Sequence, residues 1–145
     1  MAQLEIKTSI IINATPPEIW KVLINFSAYE NWNPFIRSVD GDFKVGNKIK
    51  INAGGMNFKP EVLVFDENKE IRWIGRLFMK GIFDGEHSFR IIGNNDNTST
   101  FKHEEIFKGL LVGLFRKKLN SETRQGFLSM NAQLKKLVEN QCKTA

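Results

Sequence analysis

The sequence predicts an α+β fold in which one long carboxy-terminal helix lies on a curved antiparallel sheet, with large side chains between them. Three observations carry this. In Asn120–Gln141, Phe127, Met130, Leu134 and Leu137 recur at gaps of three, four and three, with Leu128 and Val138 beside them. That period is helical and the stripe is apolar, while Glu122, Arg124, Lys135, Lys136 and Glu139 take the other side. From Phe35 to Phe107 the helical period is lost and strand-like segments follow one another. The breaks between them are short and carry turn residues, which implies an antiparallel meander.

Leu4–Asn13 alternates at first and then runs apolar, as a strand with one buried face does. Thr15, Pro16 and Glu18 then form the start of a helix, with a capping box and proline in the first turn. Ser27 and Glu30 repeat the box, so a second short helix follows, and Pro34 stops it by Trp32 or Asn33. Six strands come next: Phe35–Gly41, Lys48–Ala53, Phe58–Asp66, Glu70–Met79, Phe83–Ile92 and Thr98–Phe107. With the first strand they make seven. Lys108–Leu119 reads either as loop or as an early extension of the last helix. Asn120 or Ser121 would cap that helix, with Glu122 at the positive end of its dipole. Asn97-Thr98-Ser99 matches a glycosylation sequon and reads as a turn.

Alternation also tells which side chains face inward. Ile71, Trp73, Gly75, Leu77 and Met79 oppose Glu70, Arg72 and Arg76, although Ile74 and Phe78 share the second set. Phe83, Gly85, His87, Phe89 and Ile91 oppose Asp84, Glu86, Ser88 and Arg90. Phe101, His103, Glu105 and Phe107 oppose Thr100, Lys102, Glu104 and Ile106. Phe58, Pro60, Val62 and Val64 oppose Lys59 and Glu61, a weaker assignment because Leu63 and Phe65 are apolar too. Three polar side chains, His87, His103 and Glu105, therefore land on the inner face. A buried polar group is costly without a partner. Either these three bond to one another or to water at a rim, or they meet a ligand.

The 145 residues fit a single domain, 1–145, and charged residues at 26% are ordinary for a soluble globule. Twelve Phe and three Trp against one Tyr predict an interior that is aromatic and has few polar handles. The net charge of +5 is spread along the chain, with one run at Arg116-Lys117-Lys118. It reads as solvated surface with weak attraction to acidic surfaces. Cys142 is alone, so neither a disulfide framework nor a cysteine metal site is expected. The amino terminus does not read as a signal peptide and no apolar run is long enough to span a membrane. A cytoplasmic location without stable membrane insertion is the expectation.

The segments ATPPEIWKVLINFSAYENWNPFI, GEHSFRI, FKHEEIFKGLL and GFLSMNAQLKKL, in this order, resemble the START-like (SRPBCC) superfamily, in particular its polyketide cyclase/dehydrase and lipid-transport branch. The resemblance covers nearly the whole chain. It implies a helix-grip fold, a seven-stranded sheet curled around the long helix with two short helices closing one end, and a cavity for an apolar ligand between helix and sheet. Mapped onto this chain, the cavity positions are Trp32, Phe35, Phe58, Trp73, His87, Phe89, His103, Phe107, Phe127, Met130 and Leu134. A ligand would pass between the Gly54-Gly55 turn, the Lys80–Phe83 turn and Leu111–Phe115.

The leading functional expectation is a noncatalytic binder of a small hydrophobic molecule such as a lipid, polyketide or quinone, oriented by His87, His103 and Glu105. The alternative is a cyclase or dehydratase in which His103 with Glu105 or His87 forms an acid–base pair; residues 103 and 105 share a face at roughly 7 Å between Cβ atoms. No nucleophile elbow, phosphate loop or metal-ligand spacing is present, so no metal and no cofactor are expected. A third reading is a protein-interaction module using Arg116-Lys117-Lys118. No aromatic residues interleave that run, so nucleic acid is not an expected partner. The assembly is expected to be a monomer or a homodimer.

Overall fold

A computed structural model describes residues 3–77 and 79–144. Strand β1 (Gln3–Ile12) buries Leu4, Ile6, Thr8 and Ile12 and leaves Glu5 and Lys7 outside, as its alternation predicts. Helix α1 (Pro16–Leu23) begins where the sequence places it: the Thr15 N–H donates to Glu18 Oε1 at 2.9 Å. A 3₁₀ turn (Phe26–Ala28) leads into α2 (Tyr29–Trp32). The second expected capping box does not form. Ser27 Oγ lies 3.1 Å from Asn25 Oδ1 instead, and α2 starts without a side-chain cap. Its end is set by Asn33, whose Oδ1 accepts the N–H groups of Phe35 and Ile36 at 3.0 and 2.8 Å. This side-chain turn satisfies backbone donors where Pro34 forbids more helix.

The sheet departs from expectation in number. β2 (Ile36–Asp40), β3 (Lys50–Ala53) and β4 (Met56–Phe58) form one antiparallel sheet. β5 (Glu61–Asp66), β6 (Glu70–Leu77), β7 (Phe83–Gly93) and β8 (Ser99–Lys108) join β1 in a second, ordered β1-β8-β7-β6-β5. Among the described residues there are thus eight strands in two sheets, where the sequence predicts seven in one. The expected strand Phe58–Asp66 is the one that divides. Pro60 has no N–H to give a ladder, so pairing stops between β4 and β5. The sheets stay joined at the break: Ile49 N–H donates to Pro60 O and Val62 N–H to Asn47 O, each at 2.9 Å. The turn from β3 to β4 is Gly54-Gly55 with φ of +58° and +80°, the left-handed pair that a two-residue hairpin favours.

A β-bulge between Val62 and Val64 changes the facing of β5. One extra residue flips the pattern. Val62 sits opposite Trp73 and is buried, as expected. Val64, expected inside, pairs with Arg72 on the outer face, and Phe65 comes opposite Ile71. The Phe65 ring then packs 5.3 Å from those of Trp20 and Phe43. Met79, also expected inside, lies beyond the end of β6 and is 76% exposed. Phe78 lies outside the described residues. On the outer face, Arg72 pairs with Glu86 at 3.0 Å and Arg90 with Glu104 at 3.1 Å. Half-exposed pairs of this kind keep the face wet and add little stability.

The carboxy-terminal segment is helical from Val112 to Thr144. Helix α3 (Val112–Lys118) runs through a π-helical turn (Leu119–Thr123) into α4 (Arg124–Thr144). Asn120 and Ser121 therefore cap nothing, contrary to expectation. Ser121 Oγ donates back to Lys117 O at 3.0 Å inside a continuous helix. Phe127, Met130, Leu134 and Val138 are buried, and α4 lies across β1 and β8. Leu128 is on the outside of the stripe, 41% exposed.

Candidate functional site

Helix and sheet meet over a wall of rings. β6 supplies Trp73, β7 supplies His87 and Phe89, β8 supplies Phe101 and His103, and α4 supplies Phe127. His103 stacks on Phe127 with centroids 3.9 Å apart and planes 12° apart. His87 stacks on Trp73 at 4.7 Å and 19°. Both imidazoles are buried, at 0% and 3% exposure, so the sequence parity holds for them.

The polar groups inside this wall form one chain whose proton positions can be deduced. Thr8 Oγ1 donates to the His103 carbonyl at 2.7 Å, so its oxygen accepts from Asn131 Nδ2 at 2.9 Å. Asn131 thus presents Oδ1 to His103, and His103 Nδ1–H donates to it at 2.9 Å. That leaves His103 Nε2 as an acceptor, filled by His87 Nε2–H at 2.9 Å. His87 Nδ1 is then an acceptor as well, 3.2 Å from Glu105 Oε1. Glu105 completes the chain by carrying a proton.

Burial drives the same conclusion. It pushes the Glu105 carboxyl up to about 8 and the His87 imidazole down to about 3. His103 is held well below its ordinary value by burial, with His87 beside it adding to the effect. At neutral pH all three groups are uncharged, and the chain carries no formal charge. Glu105 has its seat because residue 85 is glycine: a Cβ there would run into Glu105 Oε2 and come 3.3 Å from the Phe107 ring.

Phe35 closes this region from the side. Its ring lies edge-on to Phe127 at 5.3 Å and bridges the two apolar clusters of the interior. It occupies the space that a side chain at residue 126 would take, and a Cβ at Gly54 would also come within 3.2 Å of the ring. Gly126→Ala should therefore displace the Phe35 ring and cost about 1–3 kcal/mol by overpacking. In a Phe35→Ala background the same change should cost nothing, or gain up to about 1 kcal/mol of helix propensity. Urea unfolding of the double-mutant cycle measures this coupling.

Of the other expected cavity positions, Phe89, Met130 and Leu134 are fully buried in the core, and Phe107 lies in the smaller cluster with Phe127. Trp32 is half-buried on α2 against Tyr29, with centroids 5.2 Å apart. Phe58 is brought to neither cluster; it pairs with Ile51 at the end of β4. Thr8 and Asn131 were not singled out from the sequence, although both left a signal. Thr8 sits between Ile6 and Ile10 on the inward register of β1, and Asn131 falls four residues after Phe127 on the buried face of α4. Trp32 Nε1 and Asn33 Nδ2 are buried donors without an acceptor among the described residues.

Two hollows are described, of about 620 and 200 Å³. The larger lies by Pro16, Pro17, Asn68 and Gly93, and the smaller on the outer face over Arg72, Glu86, Arg90 and Glu104. Neither lies between α4 and the sheet, where the family resemblance implies a cavity and where the structure brings rings into contact.

No curated protein matches the chain in sequence. Solved structures do match it in fold. A Mesorhizobium loti protein is 17% identical, with a TM-score of 0.75, over 94% of this chain and 98% of its own. The Zhui aromatase/cyclase from Streptomyces sp. R1128 is 12% identical, with a TM-score of 0.76, over 97% of this chain and 96% of its own. Norcoclaurine synthase of Thalictrum flavum, a point mutant solved with a transition-state analogue, is 12% identical, with a TM-score of 0.74 and the same coverage. At such identities the likeness is one of fold: a curved antiparallel sheet gripping a long carboxy-terminal helix. The sequence profile of one family, polyketide cyclase/dehydrase and lipid transport, matches residues 3–140. The chain belongs to this family.

Proposed function

We propose that residues 1–145 form a single domain that binds one small, uncharged, mostly apolar molecule between α4 and the five-stranded sheet. The observation that carries this is the neutral hydrogen-bonded chain from Glu105 to Thr8 set inside an aromatic wall. A core built for packing alone gains nothing from five polar groups that must all find partners. Aromatic surface supplies contact, worth roughly 25 cal/mol per Å² of apolar area before ordering costs. The polar chain supplies orientation. Family and fold support the same reading. Because the rings touch, the ligand makes its own space, by moving Phe35 off Gly126 and by shifting α3 about the π-helical turn. A lipid, polyketide or quinone bearing a hydroxyl or carbonyl fits these requirements.

The test is a titration with an apolar fluorescent dye, combined with native mass spectrometry of gently purified protein. One saturable dye site, and a bound molecule lost on unfolding, are expected. No saturable site and no bound molecule in any preparation would overturn the proposal.

One observation favours a second reading, a cyclase or dehydratase: Glu105 keeps a transferable proton at neutral pH. It ranks below binding because the site has no free base. The His103 lone pair is taken by His87 and the His87 lone pair by Glu105. Turnover of an aromatic polyketide that Glu105→Gln abolishes while binding survives would promote the enzymatic reading.

A further inference from the structure

A second feature stands apart from the interior. Leu110, Leu114 and Met79 are 70%, 76% and 76% exposed, and Phe115 is 41% exposed. The segments that carry them are tied together: Leu110 N–H donates to Gly81 O at 3.1 Å and Leu111 N–H to Ile82 O at 3.0 Å. The Phe115 ring rests against Phe83 with centroids 5.7 Å apart. Lys80, Lys108 and Lys117 are exposed among these apolar residues. Arg116 and Lys118 add charge, the first holding Gln3 O at 3.2 Å and the second near Glu122 at 3.9 Å. Asp84, the acidic group on the β7 side, is engaged by Gly81 N–H at 3.1 Å and by Arg76 at 3.9 Å.

Single exposed apolar side chains need no explanation, but a cluster rimmed by cations marks a contact surface. We propose that this surface docks reversibly on an anionic lipid bilayer. Charge complementarity selects the negative partner. The form of the patch selects a bilayer over a protein, because side chains about three-quarters exposed project outward and none of them lines either described hollow. Leu110, Leu114 and Met79 would enter the headgroup layer while Lys80, Lys108 and Lys117 meet its phosphates. No helix among the described residues is long and apolar enough to cross a membrane, so the contact is peripheral. The inference does not depend on what the interior holds.

The test is co-sedimentation with vesicles of phosphatidylcholine alone and of phosphatidylcholine mixed with phosphatidylglycerol. Binding to the mixed vesicles only is expected, falling as salt screens the charges. Leu114→Asp and Lys117→Glu should each lower it about tenfold, with thermal melting unchanged because both side chains are exposed. No binding to the mixed vesicles, or binding that neither substitution weakens, overturns the proposal. So does a stable dimer in sedimentation velocity that Leu114→Asp dissociates, which would make the patch a protein interface.

Discussion

Replacing His103 with alanine should cost about 3–5 kcal/mol of folding stability, among the largest effects available to a single substitution in this chain. The ring is the hub of the buried polar chain. Its loss leaves Asn131 Oδ1 and His87 Nε2–H without partners, each worth about 1–3 kcal/mol, and removes the stacking partner of Phe127. His103→Phe isolates the two contributions. It restores a ring against Phe127 and leaves the same polar groups unpaired, so it should recover only the packing part. Urea unfolding measures both. A His103→Ala protein within 1 kcal/mol of the parent, as an order-of-magnitude bound on surface-like substitutions, would mean that the chain of hydrogen bonds is not made as drawn.

Stability should also fall as pH rises from 6.5 to 8, and Glu105→Gln should abolish that fall. Folded Glu105 keeps its proton up to about 8, whereas its ordinary value is 4.5, so the folded state holds the extra proton between them. Stability is then lost as pH rises through that window. The imidazoles act in the opposite sense. His87, ordinarily 6.5, is held neutral in the fold down to about 3, so unfolding takes up a proton below 6.5 and stability falls as pH drops. His103 shifts in the same direction. From 6.5 to 8 the carboxyl dominates, but the unfolded imidazoles, still partly protonated at 6.5, give back part of its loss, so at about 1.4 kcal/mol per pH unit of full linkage the parent should lose roughly 1 kcal/mol net. Glutamine still donates to His87 Nδ1 but does not titrate, so its profile should rise slightly as the unfolded imidazoles lose their protons. Denaturant midpoints across this interval decide the matter; a parent profile that rises like that of Glu105→Gln would show that Glu105 is ionised in the fold.

These groups show what could be read from the chain and what could not. The alternation of β7 and β8 places His87, His103 and Glu105 on one inner face, because each side chain in a strand follows the pleat. The same rule fails on β5, where the bulge after Val62 turns Val64 to the outer face and brings Phe65, still 38% exposed, opposite Ile71. A bulge is a property of the pairing, and one strand's sequence does not contain it. Pro60 was visible as a residue, but its effect depends on whether its neighbours ask for its N–H. That is why one expected strand became β4 and β5. The π-helical turn similarly hides in a sequence whose Asn120 and Ser121 have the chemistry of a cap. Thr8 and Asn131 were within reach, each a polar residue in an apolar register. The ring contacts where a cavity was expected were out of reach, because they depend on rotamers and on how closely α4 approaches the sheet. Gly126 decides part of that, since without a side chain it lets Phe35 lie against the helix.

The central claim is that the interior accepts polarity but not charge. It is tested by competition between a long-chain alcohol and the carboxylic acid of equal chain length for the apolar dye at pH 7. The alcohol should displace the dye, and the acid should do so at least about tenfold more weakly, since its ionised head would be buried beside uncharged groups. An acid that competes as well as the alcohol, or better, would place a positive charge in the site and contradict the neutral chain from Glu105 to Thr8.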